Sequence, residues 1–282
     1  MQTCQRVSDL RAQLTQARSA GKRIALVATM GNLHEGHLQL IRLAKTLADV
    51  VVASIFVNPL QFGLNEDWEQ YPRTLERDSA MLSAEGCDLL FCPTETEMYP
   101  NGMETQTKVE VPTMTNILCG ASRPGHFLGV TTVVAKLLNM VQPDTAIFGI
   151  KDYQQLTVIK RMVEDLCIPV QIVAAPIARA DDGLALSSRN SYLTAEERPR
   201  AVALYQTLCR ARDTVQAGIR DYATIEASAQ QQLAQAGMRP DYFSIRQAKT
   251  LEPATASDTD LVLLGAVYLG KTRLIDNVTL TI

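Results

Sequence analysis

Residues 29–37, T-M-G-N-L-H-E-G-H, constrain this chain more than any other part of its sequence. They follow an apolar run at 24–28, which predicts a buried parallel strand, and precede apolar residues at helical spacing over 38–48. Such a strand-to-helix turn places the free N–H groups and the positive dipole end of a helix where a phosphate can bind. Gly31 and Gly36 would let a ligand approach the backbone closely.

Two of the three histidines of the chain, His34 and His37, lie in this turn. Residues three apart share one helix face, so both imidazoles can point the same way. Two alternatives stay open, a polar surface turn and a zinc site, although the nearby pattern lacks the further Cys or His ligands that zinc requires. The interpretation that fits the surrounding strand and helix is a phosphate-binding turn.

Composition describes a folded protein with one large domain or two modest ones: 282 residues, 46% hydrophobic, 20% charged, net charge −3. This balance gives no reason to expect a nucleic-acid partner. The N-terminus lacks an apolar signal core, and no run approaches the roughly 20 apolar residues of a membrane span, so a cytoplasmic location is expected. The cysteines form no C-x-x-C pair and are predicted to be small buried residues in a reducing compartment: Cys4, Cys87, Cys92, Cys119, Cys167 and Cys209.

The first part of the chain alternates strands and helices. The predicted strands are 24–28, 50–57, 88–92, 145–149 and 170–174, and the predicted helices are 37–48, 74–84, 131–141 and 153–166. Nearly continuous Val, Ile and Leu strands separated by helices indicate an α/β fold, a parallel sheet with helices on both faces. Ligands collect at the carboxyl ends of such strands, so the polar segments that follow the strands are expected to share one cleft.

The pattern changes near residue 176, which predicts a domain of residues 1–176 and a smaller C-terminal α+β domain of residues 177–282. The predicted elements of the second domain are helices 195–217 and 223–236 and strands 242–246, 261–269 and 272–280, with a tight hairpin at Gly270-Lys271. This domain is expected to move as a lid about residues near 176–182, because Ser187–Arg189 would have to reach a site on the first domain.

Two polar segments in the first domain are candidates for binding a small polar acid. Asn58 and Gln61 follow the second strand and bring amides suited to hydroxyls and a carboxylate, although a loop that caps itself is an equal alternative. Arg123, in the sequence R-P-G-H-F, is a candidate partner for a carboxylate or phosphate, with a plain surface loop as the alternative.

Two later segments are candidates for binding phosphate. Gly149 permits close approach, Lys151 supplies a point charge, Asp152 suits a helix N-cap, and Gln155 lies one turn further on the same face. The sequence Ser-Ser-Arg at 187–189, after a turn at Asp181-Asp182-Gly183, brings two hydroxyls beside a guanidinium and suits an oxyanion.

Taken together, these motifs resemble those of the nucleotidyltransferase and class I aminoacyl-tRNA synthetase superfamily. More narrowly, the chain is similar to the pantothenate synthetase (pantoate–β-alanine ligase) family over almost its whole length. The resemblance rests on six ordered motifs: T-M-G-N-L-H-E-G-H (29–37), S-I-F-V-N-P-L-Q-F (54–62), Y-P-R-T (71–74), R-P-G-H-F (123–127), F-G-I-K-D-Y-Q-Q (148–155) and D-G-L-A-L-S-S-R-N (182–190).

The resemblance implies a reaction in two steps. Pantoate and ATP give pantoyl-adenylate and pyrophosphate, and β-alanine then gives pantothenate and AMP. It also implies a Mg²⁺ requirement and a homodimer built on a Rossmann-like N-terminal domain. A nucleotidyltransferase that moves AMP to a phosphate acceptor, and a non-catalytic nucleotide-binding protein, are the alternatives. A tRNA-charging enzyme is disfavoured by the acidic charge and the lack of a further basic domain.

The resemblance also implies roles for particular residues. His34 and His37 would contact the ATP phosphates, with His37 as proton donor, and Gln61 and Gln155 would hold pantoate, Gln61 also lying near β-alanine. The catalytic donors to the charged transition state would be His34, His37, Lys151, Ser187, Ser188 and Arg189. The nucleotide-binding set would be Met30, Gly31, Asn32, Leu33, His34, Glu35, Gly36, His37, Gly149, Ile150, Lys151, Asp152, Ala178, Leu186, Ser187, Ser188 and Arg189.

The chain departs from the family pattern at three positions. Ala28 stands where Pro is usual, so the first turn lacks the fixed φ of a proline. Ile150 stands where a polar residue is common, and Leu128 where Arg or a small residue is common. None of the three removes a proposed catalytic group.

Overall fold

A computed structural model of the chain describes residues 1–63 and 68–282. The chain divides into two compact units. The first consists of residues 1–150 and 158–176, and the second consists of residues 151–157 and 177–282. The elements assigned along residues 1–176 are β1 (Gln2–Cys4), α1 (Val7–Ser19), β2 (Ile24–Thr29), α2 (Glu35–Leu47), β3 (Val50–Ile55), α3 (Leu75–Ala84), β4 (Leu89–Phe91), α4 (Glu95–Met98), α5 (Cys119–Ser122), α6 (His126–Val141), β5 (Thr145–Gly149), α7 (Tyr153–Asp165) and β6 (Gln171–Ala175).

The first unit contains the predicted parallel sheet, with strand order β1-β4-β3-β2-β5-β6 and every pairing parallel. The first four residues of β2 and the first five of β3 are all buried, so both faces of the sheet are covered. The carboxyl ends of β3, β2 and β5 lie side by side because these three strands are neighbours. The α/β fold expected from the sequence is therefore confirmed, and the segments that follow these strands share one edge of the sheet.

Two elements at the N-terminus were not predicted, and one helix begins earlier than predicted. Strand β1 pairs with β4, and α1 buries only Leu10 and Leu14, so neither leaves a strong local pattern. The helix predicted at 131–141 begins at His126, because Gly125 takes a left-handed φ of 83° before it and Phe127 continues the buried face. A 3₁₀ turn at Ile150–Asp152 runs directly into α7, so helical backbone begins before the predicted cap at Asp152.

The second unit contains a three-stranded antiparallel sheet with helices. The elements are α8 (Glu197–Arg200), α9 (Ala203–Gln216), α10 (Tyr222–Gln235), β7 (Arg239–Gln247), β8 (Asp260–Leu269) and β9 (Thr272–Thr281). Leu204 and Leu208 of α9 pack with Phe243 and Leu263 of the sheet in one apolar core. The smaller α+β domain and its hairpin at Gly270 are confirmed, since Leu269 pairs with Thr272.

The single helix predicted over 195–217 is wrong. A turn at residues 201–202 separates α8 from α9, and α8 begins two residues later than predicted. Pro199 lies in the first turn of α8, which is where a helix tolerates a residue without an N–H.

The prediction that all six cysteines are buried is also wrong. Cys4, Cys87, Cys92 and Cys119 are buried free thiols, but Cys209 is half-buried and Cys167 is exposed. Cys167 follows the end of α7 with a left-handed φ of 51°, a position at which chains leave a helix for solvent.

Across the described ranges, none of the helices combines the length and apolar content that crossing a membrane requires. The same two ranges hold no group of three or more His, Cys, Asp or Glu side chains placed to share a metal ion.

Candidate active site

The turn between β2 and α2 is held by a buried carboxylate from α3. Asp78 is fully buried, and its two oxygens accept hydrogen bonds from the backbone N–H groups of Asn32 and Leu33 at 2.7 and 2.9 Å. The Thr74 hydroxyl donates to the same carboxylate at 3.0 Å. Gly31 has a left-handed φ of 81°, and a Cβ there would lie 3.1 Å from Asp78. The turn therefore has a fixed shape before any ligand binds.

The two imidazoles of this turn cap the helix that follows it. His34 Nδ1 accepts from the Gly36 N–H at 3.1 Å, and His37 Nδ1 accepts from the His34 N–H at 3.3 Å. The ring centroids lie 4.2 Å apart. A neutral ring whose Nδ1 accepts carries its proton on Nε2, so each ring has an Nε2–H donor. The rings satisfy part of the helix N-terminus and offer side-chain donors in place of the backbone groups they occupy.

The segment after β3 contains an asparagine whose hydrogen-bonding capacity is fully used. Asn58 Oδ1 accepts from the Tyr99 hydroxyl at 2.7 Å and from the Leu60 N–H at 3.3 Å. Its Nδ2 donates to the Gly129 carbonyl at 3.0 Å and to Gln61 Oε1 at 3.1 Å. An amide has two acceptor and two donor positions, so none of Asn58 remains for a substrate. Asn58 instead fixes the direction in which the Gln61 amide faces.

The R-P-G-H-F motif holds the same glutamine through its backbone. The Gln61 carbonyl accepts from Arg123 Nη2 at 3.3 Å and from His126 Nδ1 at 2.8 Å. Arg123 Nη1 lies 3.0 Å from His126 Nε2. Arginine only donates and a carbonyl only accepts, so the neutral His126 ring has its proton on Nδ1. Gly129 lets α6 lie against this segment, because a Cβ there would be 2.2 Å from the Leu60 carbonyl oxygen.

In the second unit, Lys151 is held by the antiparallel sheet. The Asn277 side chain donates to the Lys151 carbonyl at 2.9 Å, and the Tyr153 hydroxyl donates to the Ala248 carbonyl at 3.1 Å. Burial raises the pKa of Tyr153, and the charge of Asp260 adds to the effect. Lys151 and Ser187 line one small crevice of this unit, so two of the predicted phosphate ligands lie close together.

The Ser-Ser-Arg segment follows a tightly bonded turn. The Ser187 hydroxyl accepts from the Arg189 N–H at 3.3 Å and so caps the 3₁₀ helix Ser188–Tyr192. The Leu186 N–H donates to the Ala178 carbonyl at 2.8 Å. Arg179 spans this turn, because its guanidinium donates to the Gly183 carbonyl at 2.9 Å. The same guanidinium forms a two-point ion pair with Asp276 of β9 at 2.6 and 2.9 Å.

The remaining predicted residues have simple surroundings. Glu35 is exposed and forms an ion pair with Arg42. A Cβ at Gly149 would meet nothing within 4 Å, so space adjoins the end of β5. Within the second unit, Asp152 is exposed and Gln155 is half-buried. In the first unit, Met30 is half-buried next to the His34 turn.

Four residues with evident positioning roles were not predicted as site residues: Asp78, Tyr99, His126 and Asn277. Each acts through a bond to a residue 45, 41, 65 or 126 positions away in sequence. A buried acidic residue among the apolar positions of α3 was the one available signal, at Asp78. His126 stands in the R-P-G-H-F motif, in which only Arg123 was taken as a candidate, and Tyr99 and Asn277 leave no local pattern.

A glycine-containing turn that joins a parallel strand to a helix and presents side-chain hydrogen-bond donors is typical of α/β nucleotide-binding proteins. The family model described as pantoate-beta-alanine ligase matches residues 2–279. The chain belongs to this family.

Named relatives agree with this assignment. A pantothenate synthetase of Saccharophagus degradans is 59% identical over 282 residues, covering 100% of this chain and 99% of the relative. A pantothenate synthetase of Pseudomonas putida is 60% identical over 277 residues, covering 98% of this chain and 96% of the relative.

Two solved structures have the same fold. The pantothenate synthetase of Thermus thermophilus superposes with a TM-score of 0.91 at 46% identity, covering 99% of each chain. The pantoate-beta-alanine ligase of Francisella tularensis, complexed with beta-gamma ATP and beta-alanine, superposes with a TM-score of 0.80 at 35% identity, covering 99% of this chain and 97% of that one.

Proposed function

We propose that this chain condenses (R)-pantoate with β-alanine, consumes ATP through a pantoyl-adenylate, and releases pyrophosphate and AMP. The family match along nearly the whole chain supports the reaction, and the names of the relatives identify pantoate, β-alanine and ATP as its substrates. The structural observation that carries the proposal is the pairing of His34 and His37, whose Nδ1 atoms are both used within the turn. Each ring is thereby prepared to donate from Nε2 to an anionic ligand.

In the first step a pantoate carboxylate oxygen attacks the α-phosphorus of ATP. A new P–O bond forms while the bond to the β-phosphate oxygen breaks, and pyrophosphate leaves with its electron pair. Negative charge gathers on the phosphoryl oxygens, so preorganised donors accelerate the step. We assign this role to His34, His37, Lys151 and the Ser187–Arg189 segment. His37, the proton donor that the family resemblance implies, would donate a hydrogen bond from its Nε2–H to the leaving pyrophosphate.

Pantoate is held by amides. Gln61 Oε1 is occupied by Asn58, so Gln61 is oriented to donate from Nε2 to a carboxylate or hydroxyl. Gln155, half-buried in the first turns of α7, is assigned to the same substrate. Asn58 and Arg123 act on Gln61, through its side chain and its carbonyl respectively, and we assign them to positioning.

In the second step the amine of β-alanine attacks the acyl carbon of pantoyl-adenylate. The new C–N bond replaces the C–O bond to AMP, and the nitrogen gives up a proton to solvent. This step has no nucleophile from the protein, and holding the amine beside the acyl carbon supplies much of its rate. Gln61 is assigned to both substrates.

Mg²⁺ fits this chemistry as a companion of the ATP phosphates. The described residues offer no cage of three metal-binding side chains, whereas Mg²⁺ in nucleotide enzymes is commonly held by phosphate oxygens with one or two carboxylates. Asp152, exposed beside Lys151, is the carboxylate we assign to it. When bound, the ion would neutralise charge on the pyrophosphate.

We further propose a cytoplasmic homodimer in which residues 1–176 bind the nucleotide and pantoate and residues 177–282 serve as a lid. The family resemblance supports the dimer, and four buried free thiols suit a reducing compartment. The two oxyanion-binding segments, residues 29–37 and 187–189, belong to different units, and both are assigned to ATP. Equal interdomain angles with and without ATP and pantoate would contradict the lid.

The decisive experiment is pantoate-dependent exchange of labelled pyrophosphate into ATP, with Mg²⁺ and without β-alanine. We expect exchange in the natural chain and a loss of about 10²-fold or more in His37→Ala and Lys151→Ala. Lys160→Ala is the matched control, because Lys160 is an exposed lysine of α7, the helix that follows Lys151, and this variant should exchange normally. If a folded His37→Ala or Lys151→Ala variant exchanged at the wild-type rate, the substituted residue would have no part in the mechanism. A chain that binds ATP without exchange would favour transfer of AMP to a phosphate acceptor.

A further inference from the structure

A cavity of the first unit lies between α1, α6 and the chain that follows α4. Its volume is about 510 Å³, within the range of small-molecule sites, and it opens to solvent. Its α6 wall consists of residues spaced three and four apart, which therefore face one way. The lining residues on α6 are Thr132, Ala135, Lys136, Asn139 and Met140. None of the residues assigned to ATP, pantoate or β-alanine lines this cavity.

The charged residues that line this cavity are cationic. Arg11 of α1 and Lys136 of α6 both line it, and among the described residues no Asp or Glu does. The Lys136 ammonium lies 5.6 Å from the centroid of the Tyr99 ring, a cation–π contact that holds it at the wall. Two cations without a lining carboxylate favour an anionic occupant.

The wall also contains a buried amide. Gln106 lies near the Tyr99 hydroxyl, but neither its Nε2 nor its Oε1 has a hydrogen-bond partner of normal geometry among the described residues. Buried side-chain amides are nearly always paired, so the Gln106 amide beside this cavity has hydrogen-bonding capacity left for a ligand. Asn101 and Asn139 add further amides to the lining.

Apolar residues also line this cavity. Pro100, Val109, Ala135 and Met140 contribute to the same cavity. The cavity therefore has room both for a charged group and for an apolar body, as small-molecule sites typically do.

We propose that this cavity, lined by Arg11, Lys136 and Gln106, binds a small organic anion that carries an apolar body. The charged group of the ligand pairs with Arg11 and Lys136, and the Gln106 amide bonds to a neighbouring polar atom. The site is separate from the one assigned to the reaction, and its occupancy does not require turnover. Organic phosphates, sulfonates and carboxylates share the required chemistry.

The test is a fluorescence titration with 1-anilinonaphthalene-8-sulfonate, an organic anion with an apolar body. A non-hydrolysable ATP analogue and pantoate are present at saturation, so that their sites are filled. The variant Arg11→Gln/Lys136→Gln removes both cations, and Arg6→Gln/Lys22→Gln removes an arginine and a lysine that are exposed and do not line the cavity. We expect the Kd to rise about tenfold or more in the first variant and to stay within about twofold in the control.

A second variant tests the cavity by volume instead of charge. Thr107 is exposed and lines the cavity, so Thr107→Trp fills space without a change in the core. We expect Thr107→Trp to weaken probe binding as well. This variant keeps the test decisive if the Arg11→Gln/Lys136→Gln variant does not fold. Competition by inorganic phosphate, and separately by a fatty carboxylate, shows whether the charged group or the apolar body dominates. No saturable binding to the natural chain, or equal Kd values in all variants, would overturn the proposal.

Discussion

The hydroxyl of Tyr99 donates a hydrogen bond to Asn58 Oδ1 at 2.7 Å and thereby decides how two successive amides face. Asn58 can donate to Gln61 Oε1 only while its own oxygen points toward Tyr99. Burial raises the pKa of Tyr99, with a smaller contribution from Glu95, so the hydroxyl keeps the proton it donates throughout the working pH range.

Tyr99→Phe should therefore raise the KM for pantoate about threefold to tenfold and leave the KM for ATP unchanged. Loss of one buried hydrogen bond should lower the free energy of unfolding by about 1 kcal/mol. Tyr222→Phe is the matched control, because its buried hydroxyl has no hydrogen-bond partner among the described residues, and it should be neutral or slightly stabilising. Equal changes in both KM values would assign Tyr99 a general structural role.

His34→Asn should separate helix capping from catalysis. The asparagine oxygen takes the place of Nδ1 and still accepts from the Gly36 N–H, but the Nε2–H donor is lost. We expect pantoate-dependent pyrophosphate exchange to fall about 10²-fold with little change in the melting temperature. His34→Ala loses the cap as well and should cost about 1 kcal/mol of stability. An active, stable His34→Asn variant would refute the role of His34 in phosphate binding.

Asp78→Asn should weaken the turn that carries both histidines. One carboxylate oxygen becomes an NH₂ group that cannot accept from the Asn32 or Leu33 N–H. We expect the free energy of unfolding, measured by chemical denaturation, to fall by about 1–3 kcal/mol, and the KM for ATP to rise. Asp213→Asn is the control, because the Asp213 side chain is 60% exposed. Its free energy of unfolding should stay within about 0.5 kcal/mol of the wild-type value. An unchanged stability in Asp78→Asn would show that water replaces the lost bond.

Gly129→Ala should displace the segment Pro59–Gln61, since the added Cβ would lie 2.2 Å from the Leu60 carbonyl oxygen. We expect it to be destabilised by about 1–3 kcal/mol and to bind pantoate poorly. Gly149→Ala is the contrasting change, because its Cβ would meet nothing within 4 Å. It should fold normally and, if the space beside it receives the nucleotide, raise the KM for ATP alone.

Thiol labelling of the native chain should distinguish its cysteines. Burial raises the pKa of Cys87 to about 11, so at pH 8 only about one molecule in 10³ carries its thiolate. We expect one fast reaction with an aromatic disulfide reagent, at exposed Cys167, a slower one at Cys209, and the rest only after unfolding. Because the Cys87 pKa is raised, its labelling should stay slow as the pH rises to about 10. Persistence of the fast phase in Cys167→Ser would contradict this order.

Sequence pattern predicted the parts of this fold that depend on local repetition. The five apolar runs became strands of one parallel sheet, because runs of Val, Ile, Leu and Ala are visible in the sequence without knowledge of their partners. Strand β1 could not be found in this way, since three residues have no period and gain their structure from pairing with β4. The same limit explains α1, whose thirteen residues bury only Leu10 and Leu14.

The candidate site divides in the same manner. Residues assigned to ligand binding, such as His34, stand in short motifs after strands, where ligands bind in parallel sheets of this kind. The residues that hold them, such as Tyr99 and Asn277, bond to partners 41 and 126 positions away. Such contacts arise only once the chain is folded, so a linear pattern does not contain them.

Residues 151–157 lie between β5 and most of α7 in sequence, yet they belong to the second compact unit. No single cut in the chain can therefore release the two units intact. A fragment that ends at residue 176 would keep Lys151 but lose Asn277, which holds its carbonyl, and Ala248, which accepts from Tyr153. Complementation by two separately produced fragments would have to rebuild these bonds before the lysine regained its surroundings, and swapping the C-terminal part between relatives would exchange the supports of Lys151 as well.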